Sequence, residues 1–410
     1  MQQQQQALLR PATEWELQRT LIEATKSGTP VEVVGAGSKR GIGRPTAAPQ
    51  LMTTTSLTGV RLYEPTELVM AARGGTPLGR IESELASRGQ MLAFEPIDLA
   101  PVIGQEPGNG TVGALFAMNL SGARRISAGA ARDHLIGITA ISGEGVAFRS
   151  GGRVMKNVTG LDLARTLAGS WGTLAVLTEA TFKVMPKPEA TATLILLGLE
   201  DGIAVEALST AMGSPYEVSG AVHLQQPLAE RLWHQGLRAE HRAVTAIRIE
   251  NFEASVAYRI QRLRQELKVF GDVHVLENTD SLAFWDELRQ LSVLQGTAAP
   301  LWRISTSPQA GPKVVASITR FMTCHAYYDW AGGLIWAEVL PTSDAGAADI
   351  RRVIATHGGH ATLIRAEPAV RATIDVFQPL EPGLARLTQK LKSVFDPAGI
   401  LNRGRMHAVF

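Results

Sequence analysis

A short loop near the N-terminus combines glycines with positive charge. It follows a predicted strand at residues 31–34, whose side chains are apolar or acidic, and contains Gly35, Ala36, Gly37, Ser38, Lys39 and Arg40. Glycine permits backbone conformations in which successive N–H groups point at one anion, and the two cations add attraction. Such a loop can bind the diphosphate of a dinucleotide, although an ordinary strand-to-loop connection with two solvated cations has the same composition.

The glycine spacing does not fit the nicotinamide-dinucleotide fingerprint. That fingerprint needs a strand, a G-x-G-x-x-G turn, a helix and an acidic residue about 20 positions later. Here Gly35 and Gly37 are followed by Gly41, one position off, and no acidic residue comes before Glu64. The prolines and small polar residues after the loop have no apolar stripe of helical period, so we expect no crossover helix.

Few other residues are candidates for chemistry. Arg303 lies in a predicted strand and could hold a carboxylate bidentately as a catalytic-site residue, although such an arginine can equally pair within the structure. His357 and His360 lack an adjacent carboxylate, so we expect a solvated turn there and no metal site. His223 and His325 lie on apolar strands and are expected to be core residues.

Local signals predict both helices and strands. Thr13 opens a capping-box sequence for a first helix that ends at Gly28. A second helix is predicted over residues 77–88 with Thr76 as its cap, and a last one over residues 382–395. The sequence is therefore expected to form an α+β fold.

The sequence Pro-Lys-Pro at residues 186–188 is the clearest domain boundary. Beyond it, strands alternate with amphipathic helices, which is typical of an antiparallel sheet with helices on one face. Before it, Lys156 and Asn157 lead into a glycine turn. The predicted organisation is a disordered tail (1–11), a first domain (12–187), an α+β cap or substrate domain (188–365) and a C-terminal helix and segment that returns toward the first domain (366–410).

Composition excludes several classes of protein. The chain has 410 residues, is 45% hydrophobic and 19% charged, and carries a formal net charge of +2, which does not indicate a nucleic-acid surface. Neither a secretory signal nor an apolar run long enough for a bilayer is visible, so a cytoplasmic location is expected. The single cysteine, Cys324, cannot form an internal disulfide or ligate an iron–sulfur cluster by itself.

Several ordered motifs resemble one flavoprotein family. These are YEPTELVMAARGGTPLGRIESELASRGQMLAFEP, GNGTVGALFAMNLSGARRISAGAARDHLIGITAISGEGV, GGRVMKNVTGLDLARTLAGSWGTLAVLTEATFKV and, near the C-terminus, FDPAGILNRGRM. The first three fall within residues 12–186, where the chain resembles the flavin domain of the vanillyl-alcohol oxidase / p-cresol methylhydroxylase family. The resemblance implies a two-lobed FAD-binding domain of the p-cresol methylhydroxylase type, followed by an α+β cap domain.

The same resemblance implies which residues bind FAD. It places the diphosphate on Gly35, Ala36, Gly37, Ser38 and Lys39. It places a second wall of the flavin site at Gly110, Thr111, Gly113, Ser121, Gly122, Ala128 and Gly129. Arg132 and Asp133 would lie at the edge of that wall, and Val176 on the adenine or ribose side. Arg124 and Arg125 could offset diphosphate charge or be solvated. Relatives with covalent flavin use a histidine in the diphosphate loop; Ser38 and Lys39 stand there instead, so noncovalent FAD is expected.

Within the family, the chain is most similar to the FAD-binding subunits of bacterial glycolate oxidases. This similarity implies oxidation of a small 2-hydroxy acid, glycolate to glyoxylate, in a complex with a catalytic flavoprotein subunit and an iron–sulfur subunit. Contact with the membrane would be indirect, through those partners. Two alternatives stay open: a structural or electron-relay subunit without its own chemistry, and a stand-alone FAD-dependent oxidase that uses Arg303 or Tyr327.

Overall fold

The computed structural model describes residues 6–152 and 161–408, so the turn predicted at Lys156 and Asn157 lies outside the described residues. We call residues 6–186 the N-terminal lobe. Its elements are β1 (Ala7–Leu9), α1 (Glu14–Ser27), β2 (Val31–Val34), β3 (Gln50–Thr53), β4 (Val60–Glu64), β5 (Val69–Arg73), α2 (Leu78–Ala86), β6 (Gln90–Met91), α3 (Val112–Met118), α4 (Arg125–Ala128), α5 (Ala131–His134), β7 (Leu135–Ser142), β8 (Ala147–Gly151), α6 (Leu163–Leu167), β9 (Ala175–Lys183) and β10 (Met185–Pro186).

Two sheets form the main layers of this lobe. One is a parallel sheet of order β1–β3–β2, in which Val31 lies opposite Gln50. The other is antiparallel, of order β4–β5–β9–β7–β8. No helix lies between β2 and β3 in residues 35–49, all of which the structure describes. The sequence-based prediction that the glycine loop has no crossover helix is therefore confirmed.

The predicted disordered tail over residues 1–11 is wrong where the structure describes it. Residues 7–9 form β1, which pairs in parallel with β3 along its free edge. The N–H group of Ala7 donates to the carbonyl of Pro49 (3.0 Å), and the Gln6 amide donates to the Ala48 carbonyl (2.7 Å). The edge of β3 thus offers backbone groups to which residues 7–9 hydrogen-bond, and this pairing could not be inferred from the composition of the N-terminal residues.

The helix-end predictions are confirmed for α1 and partly wrong for α2. The Thr13 hydroxyl accepts a hydrogen bond from the N–H of Glu16 (3.1 Å), and Gly28 ends the helix with a φ of 64°. Helix α2 begins one residue later than predicted and ends at Ala86. Thr76 does not cap it, because the Thr76 hydroxyl instead accepts from the N–H of Gly59 (2.9 Å).

The following residues to Arg365, which we call the cap, form an antiparallel sheet with helices. Its elements are β11 (Ala190–Leu197), α7 (Asp201–Met212), β12 (Val218–Leu224), α8 (Gln226–Ala229), α9 (Gln235–Arg238), β13 (Val244–Asn251), α10 (Glu253–Leu267), β14 (Val273–Glu277), α11 (Asn278–Arg289), β15 (Leu301–Ser305), α12 (Gly311–Ile318), β16 (Cys324–Asp329), β17 (Leu334–Val339), α13 (Ala347–His357) and β18 (His360–Arg365). The strand order is β14–β11–β13–β12–β16–β17–β15–β18.

The two faces of the cap sheet have different partners. In β15, Trp302 and Ile304 point to a core shared with α12 and α13. Side chains alternate along a strand, so Leu301 and Arg303 point to the other face. On that face Tyr327 and Trp336 pack into the core of the N-terminal lobe. The sheet therefore presents Arg303 toward the N-terminal lobe.

The C-terminal segment contacts the first parallel sheet. It contains α14 (Pro368–Thr373) and α15 (Pro382–Phe395), and the latter has the predicted bounds. After α15, Leu401 forms a parallel bridge with Val31. The Lys392 ammonium, almost fully buried, pairs with Asp396 (2.6 Å), whose carboxylate also accepts from the N–H of Leu401 (2.8 Å). This buried pair fixes the chain beside β2. Among the described residues, no helix has the length and apolar character required to span a bilayer.

Replacing Asp396 tests this anchor. Asp396→Asn leaves the Lys392 ammonium buried without its counter-charge, so we expect the free energy of unfolding to fall by about 3–5 kcal/mol. Denaturant unfolding measures the loss. Lys390→Ala, which truncates an exposed lysine of the same helix, should change the free energy by less than about 0.5 kcal/mol. Equal stability of the two variants would contradict the role of the Lys392–Asp396 pair.

Candidate functional site: a cleft beside the glycine loop

A cleft opens between the glycine loop, helix α3, strand β9 and the C-terminal segment. Of the residues predicted from sequence, the cleft brings together Ala36, Gly37, Ser38, Lys39, Thr111, Gly113 and Val176. Lining residues that the sequence analysis did not single out are Met118, Trp171, Asn402 and Arg405, among others. The residues that meet here are separated by more than 300 positions in the sequence, and mostly small side chains face the space.

The glycine loop presents backbone donors to the cleft. The N–H groups of residues 36–39 have no acceptor within the part of the chain that the structure describes. Gly37 has a φ of 82°, a conformation that other residues rarely adopt. A Cβ atom at Gly35 would clash with the Thr111 hydroxyl, so glycine allows the loop to approach the start of α3. These features form an anion-binding nest.

The cations of the loop are partly neutralised by the protein itself. Lys39 is nearly buried and lies 3.6 Å from the Asp98 carboxylate. Burial lowers the pKa of Lys39, and the charge of Asp98 opposes that shift. The Glu32 carboxylate binds both Arg40 (2.6 Å) and Arg405 (2.9 Å). Three cations thus face two carboxylates, which leaves a net positive charge beside the nest.

The C-terminal segment closes one side of the cleft. The Asn402 carboxamide accepts from the N–H of Val33 (2.7 Å) and donates to the carbonyl of Trp171 (2.8 Å). Arg405 donates to the carbonyls of Arg40 (3.1 Å) and Ile42 (2.8 Å). The motif FDPAGILNRGRM was the available sequence signal for both residues, but the pairing of this segment with β2 was not visible in it.

The rest of the predicted second wall does not line this cleft. Ser121 accepts from the N–H of Ala131 (2.9 Å), and the Gly122 carbonyl accepts from the indole N–H of Trp330 (3.0 Å). Asp133 caps α5 by accepting from the N–H of Ala130 (2.9 Å). The remaining predicted positions also lie outside it: Gly35, Gly110, Ala128, Gly129 and Arg132. We call residues 119–133 the wall segment; it contacts the cap.

A buried ionic cluster joins the wall segment to the cap. Arg124 donates to Glu250 (2.5 Å) and pairs with Glu95 (3.2 Å), and Arg248 pairs with Glu95 (2.7 Å). Burial alone would raise the pKa of Glu95, but the charges of Arg248 and Arg124 lower it to about 2. Arg124 is therefore not solvated, contrary to one of the sequence-based alternatives, and the four ionic groups compensate one another.

A second cationic group lies on the cap side of the wall segment. The guanidinium groups of Arg125 and Arg303 both contact the ring of Trp330, at 4.3 and 5.1 Å from its centre. Within residues 6–152 and 161–408, Arg303 has no carboxylate at ion-pair distance. Burial and the charge of Arg125 lower the pKa of Arg303 to about 10, against the opposing charge of Asp329. Two neighbouring, desolvated cations favour binding of an anion.

Comparison with known proteins identifies the family. The model of the FAD binding domain family matches residues 5–151. The chain is 35% identical over 391 residues to glycolate oxidase subunit GlcE of Escherichia coli (strain K12), covering 94% of this chain and 95% of that protein. The chain belongs to this family of FAD-binding oxidoreductases.

More distant relatives agree with this assignment. Glycolate oxidase subunit GlcD of Bacillus subtilis (strain 168) is 25% identical over 324 residues, 73% of this chain and 68% of that protein. The structure of p-cresol methylhydroxylase superposes with a TM-score of 0.72 over 97% of this chain and 88% of that one, at 13% identity. The predicted fold class, a p-cresol methylhydroxylase-type FAD domain with an α+β cap, is confirmed.

The cleft has unsatisfied groups that fit FAD. The Thr111 hydroxyl is buried in it and has no hydrogen-bond partner in the described chain. A buried polar atom without a partner is costly, and a bound ligand that hydrogen-bonds to it removes that cost. FAD carries an anionic diphosphate for the N–H groups of residues 36–39 and several hydroxyl and phosphate oxygens for Thr111. These residues therefore fit the cofactor of the family.

Gly37→Glu tests the loop. The glutamate would have to adopt a left-handed backbone conformation that non-glycine residues disfavour, and its carboxylate would lie against the diphosphate. We therefore expect FAD to bind about 100-fold more weakly, a loss of about 3 kcal/mol of binding free energy. Titration of the apoprotein with FAD, followed by flavin fluorescence, measures the change. The matched control is Gly28→Glu, at a left-handed glycine with open space around it and outside the cleft. Equal FAD affinity in both variants would contradict the loop assignment.

Proposed function

We propose that this chain is the FAD-binding subunit of a heteromeric oxidase that converts glycolate, or a similar small 2-hydroxy acid, to the corresponding 2-oxo acid. The 35% sequence identity to GlcE, which extends over nearly the whole of both chains, supports this proposal. The observation in the structure that carries it is the guanidinium group of Arg303, largely buried, without a carboxylate partner in the described chain, and oriented toward the N-terminal lobe.

Arg303 is proposed to bind the substrate carboxylate. A planar guanidinium group can donate two parallel hydrogen bonds to a carboxylate, and this geometry fixes the orientation of a small substrate. The indole rings of Trp330 and Trp336 flank the guanidinium group and shield part of it from water. Bound FAD would accept the hydride from the C2 carbon of the substrate. The role of the chain is then to bind the anion, orient it and desolvate it.

Electrons are proposed to leave through partner subunits. The full sequence has one cysteine, Cys324, and it is buried. A cluster ligated by several cysteines would therefore have to belong to an iron–sulfur partner. Two differently named glycolate oxidase subunits, GlcE and GlcD, are both similar to this chain, which supports assembly with a second flavoprotein subunit. If that second subunit oxidises the substrate, this chain would only relay electrons, and this is the alternative function.

Anaerobic addition of glycolate to the purified flavoprotein distinguishes these functions. If this chain oxidises glycolate, the visible flavin bands of the isolated subunit bleach. If it is a relay subunit, its flavin bleaches only after the partner flavoprotein is added. Persistent oxidised flavin in the assembled complex would contradict both forms of the proposal.

Arg303→Met tests the carboxylate site. The variant keeps apolar packing against Trp330 but loses the charged donors, so half-maximal flavin reduction should require about 10- to 100-fold more glycolate. Stopped-flow measurement of flavin reduction against glycolate concentration gives this value. Arg320→Met, which removes an exposed arginine of the cap, serves as the control and should behave as wild type. An unchanged concentration dependence in Arg303→Met would show that the carboxylate binds elsewhere.

A further inference from the structure

Helix α15 has an apolar stripe that the rest of the protein leaves largely uncovered. Leu384, Leu387, Leu391 and Val394 recur at spacings of three and four residues, so they lie along one side of the helix over about 15 Å. Leu391 is half-buried, whereas Leu384, Leu387 and Val394 are 51%, 64% and 71% exposed. Isolated exposed leucines are ordinary, but an aligned apolar set on one helix is typical of an interaction surface. We call these four residues the α15 stripe.

Other residues of α15 attach the helix to the protein. Lys392 is buried and donates to the carbonyls of Thr173 (2.6 Å) and Leu401 (3.0 Å). Phe395 is also buried, and its ring contacts that of Phe148 on β8, with 5.6 Å between the ring centres. The three exposed residues of the α15 stripe are therefore not what holds the helix in place.

Positive charge borders the α15 stripe on its solvent side. Arg386 and Lys390 lie one turn apart and are both exposed. Neither has a carboxylate at ion-pair distance within residues 6–152 and 161–408. The helix itself contains no acidic residue, and its third cation, Lys392, is compensated by Asp396. The stripe is thus apolar with an uncompensated basic border.

This charge distribution favours one kind of occupant. In a two-fold contact between identical helices, Arg386 and Lys390 of one copy would lie close to the same cations of the other, and like charges oppose that contact. Basic clusters that bind anionic lipid contain about four to eight cations, whereas this border has only Arg386 and Lys390. A protein surface with an apolar centre and acidic residues at its rim complements both features of the stripe.

Helix α15 also lies beside the cofactor cleft. The two carbonyls that accept from Lys392 belong to Thr173 and Leu401. Each of these residues is adjacent in sequence to a residue that lines the cleft, Gly172 and Asn402 respectively. Because a helix with its side chains is about 10 Å across, a protein bound to the outer side of α15 would lie about one helix diameter from the cleft lining. This surface is therefore well placed for a partner that receives electrons.

We propose that the α15 stripe is the docking surface for the iron–sulfur subunit to which this chain passes electrons. This inference rests on the proposed function. The complementary surface of the partner is apolar at its centre, where Leu384, Leu387 and Val394 become buried. Carboxylates at its rim lie opposite Arg386 and Lys390. The contact fixes the partner next to the cofactor cleft.

Leu387→Gln tests the apolar part of this contact. The residue is exposed, so the isolated chain should fold as wild type, but the amide would be buried at the interface without a partner. The dissociation constant between the FAD-loaded chain and the purified iron–sulfur subunit, measured by interferometry, should rise about 10-fold. The matched control is Leu340→Gln, at a leucine of the cap that is 54% exposed, and it should bind as wild type. Equal dissociation constants for Leu387→Gln and wild type would overturn the proposal.

Reversing the charge of the border tests the acidic character of the partner. Binding of the wild-type chain should weaken as the salt concentration rises, because salt screens attraction between exposed charges. The double variant Arg386→Glu and Lys390→Glu should bind about 10-fold more weakly at low salt and lose this salt dependence. Arg320→Glu, at an exposed arginine of the cap, is the control and should match wild type. Salt-independent binding of wild type would overturn the assignment of an acidic partner.

Two further measurements test the other occupants of the stripe. Sedimentation velocity of the chain alone tests a second copy, and flotation with vesicles of phosphatidylglycerol and phosphatidylcholine tests a membrane. A dimer, or vesicle binding, that Leu387→Gln abolishes would overturn the proposal. None of the docking measurements uses glycolate. Failure of the wild-type chain to bind the iron–sulfur subunit would therefore overturn the docking surface, whereas failure of glycolate to bleach the flavin of the complex would overturn the proposed function.

Discussion

The placement of the cap against the N-terminal lobe depends on a buried set of opposite charges. Glu95 and Arg124 come from the N-terminal lobe, and Arg248 and Glu250 come from the cap strand β13. Charges buried in this way are tolerated only when each finds its partner, so the cluster favours one relative arrangement of the two surfaces. That arrangement directs Arg303 toward the wall segment. Arg303, the group proposed to bind the substrate, is therefore positioned by residues that do not contact the substrate.

In the cofactor cleft, by contrast, the groups available for binding are mainly backbone N–H groups rather than charged side chains. The glycine loop offers N–H groups, glycines allow close approach to Thr111, and Asn402 attaches the C-terminal segment to β2. Much of the charge of Arg40 and Arg405 is directed to Glu32, so these cations stabilise the loop more than they attract the ligand. A site of this kind recognises the shape of a dinucleotide, while the cap determines which substrate meets it.

Local features were predictable from sequence, and long-range ones were not. Thr13, Gly28 and the bounds of α15 follow from propensity and capping, which depend on neighbours in the chain. The prediction that Thr76 caps α2 was wrong because its hydroxyl accepts a hydrogen bond from Gly59, a contact that depends on tertiary structure. The strand at residues 7–9 forms only because β3 supplies an edge.

Arg124 and Arg125 were equally ambiguous, since their partners Glu250 and Trp330 are more than 100 residues away. The predicted flavin residues that meet at the cleft are Ala36, Gly37, Ser38, Lys39, Thr111, Gly113 and Val176. The wall segment contacts the cap instead.

We expect this cleft to hold one FAD by noncovalent contacts with the backbone of the loop and with Thr111. The most direct test is to reconstitute the purified chain with FAD, remove excess cofactor, denature the protein in acid and measure flavin in the supernatant and in the precipitate. We expect one FAD for each chain, all of it released into the supernatant. Flavin that stays with the precipitate would contradict noncovalent binding, and a chain that retains no flavin after reconstitution would contradict the assignment of the cleft itself.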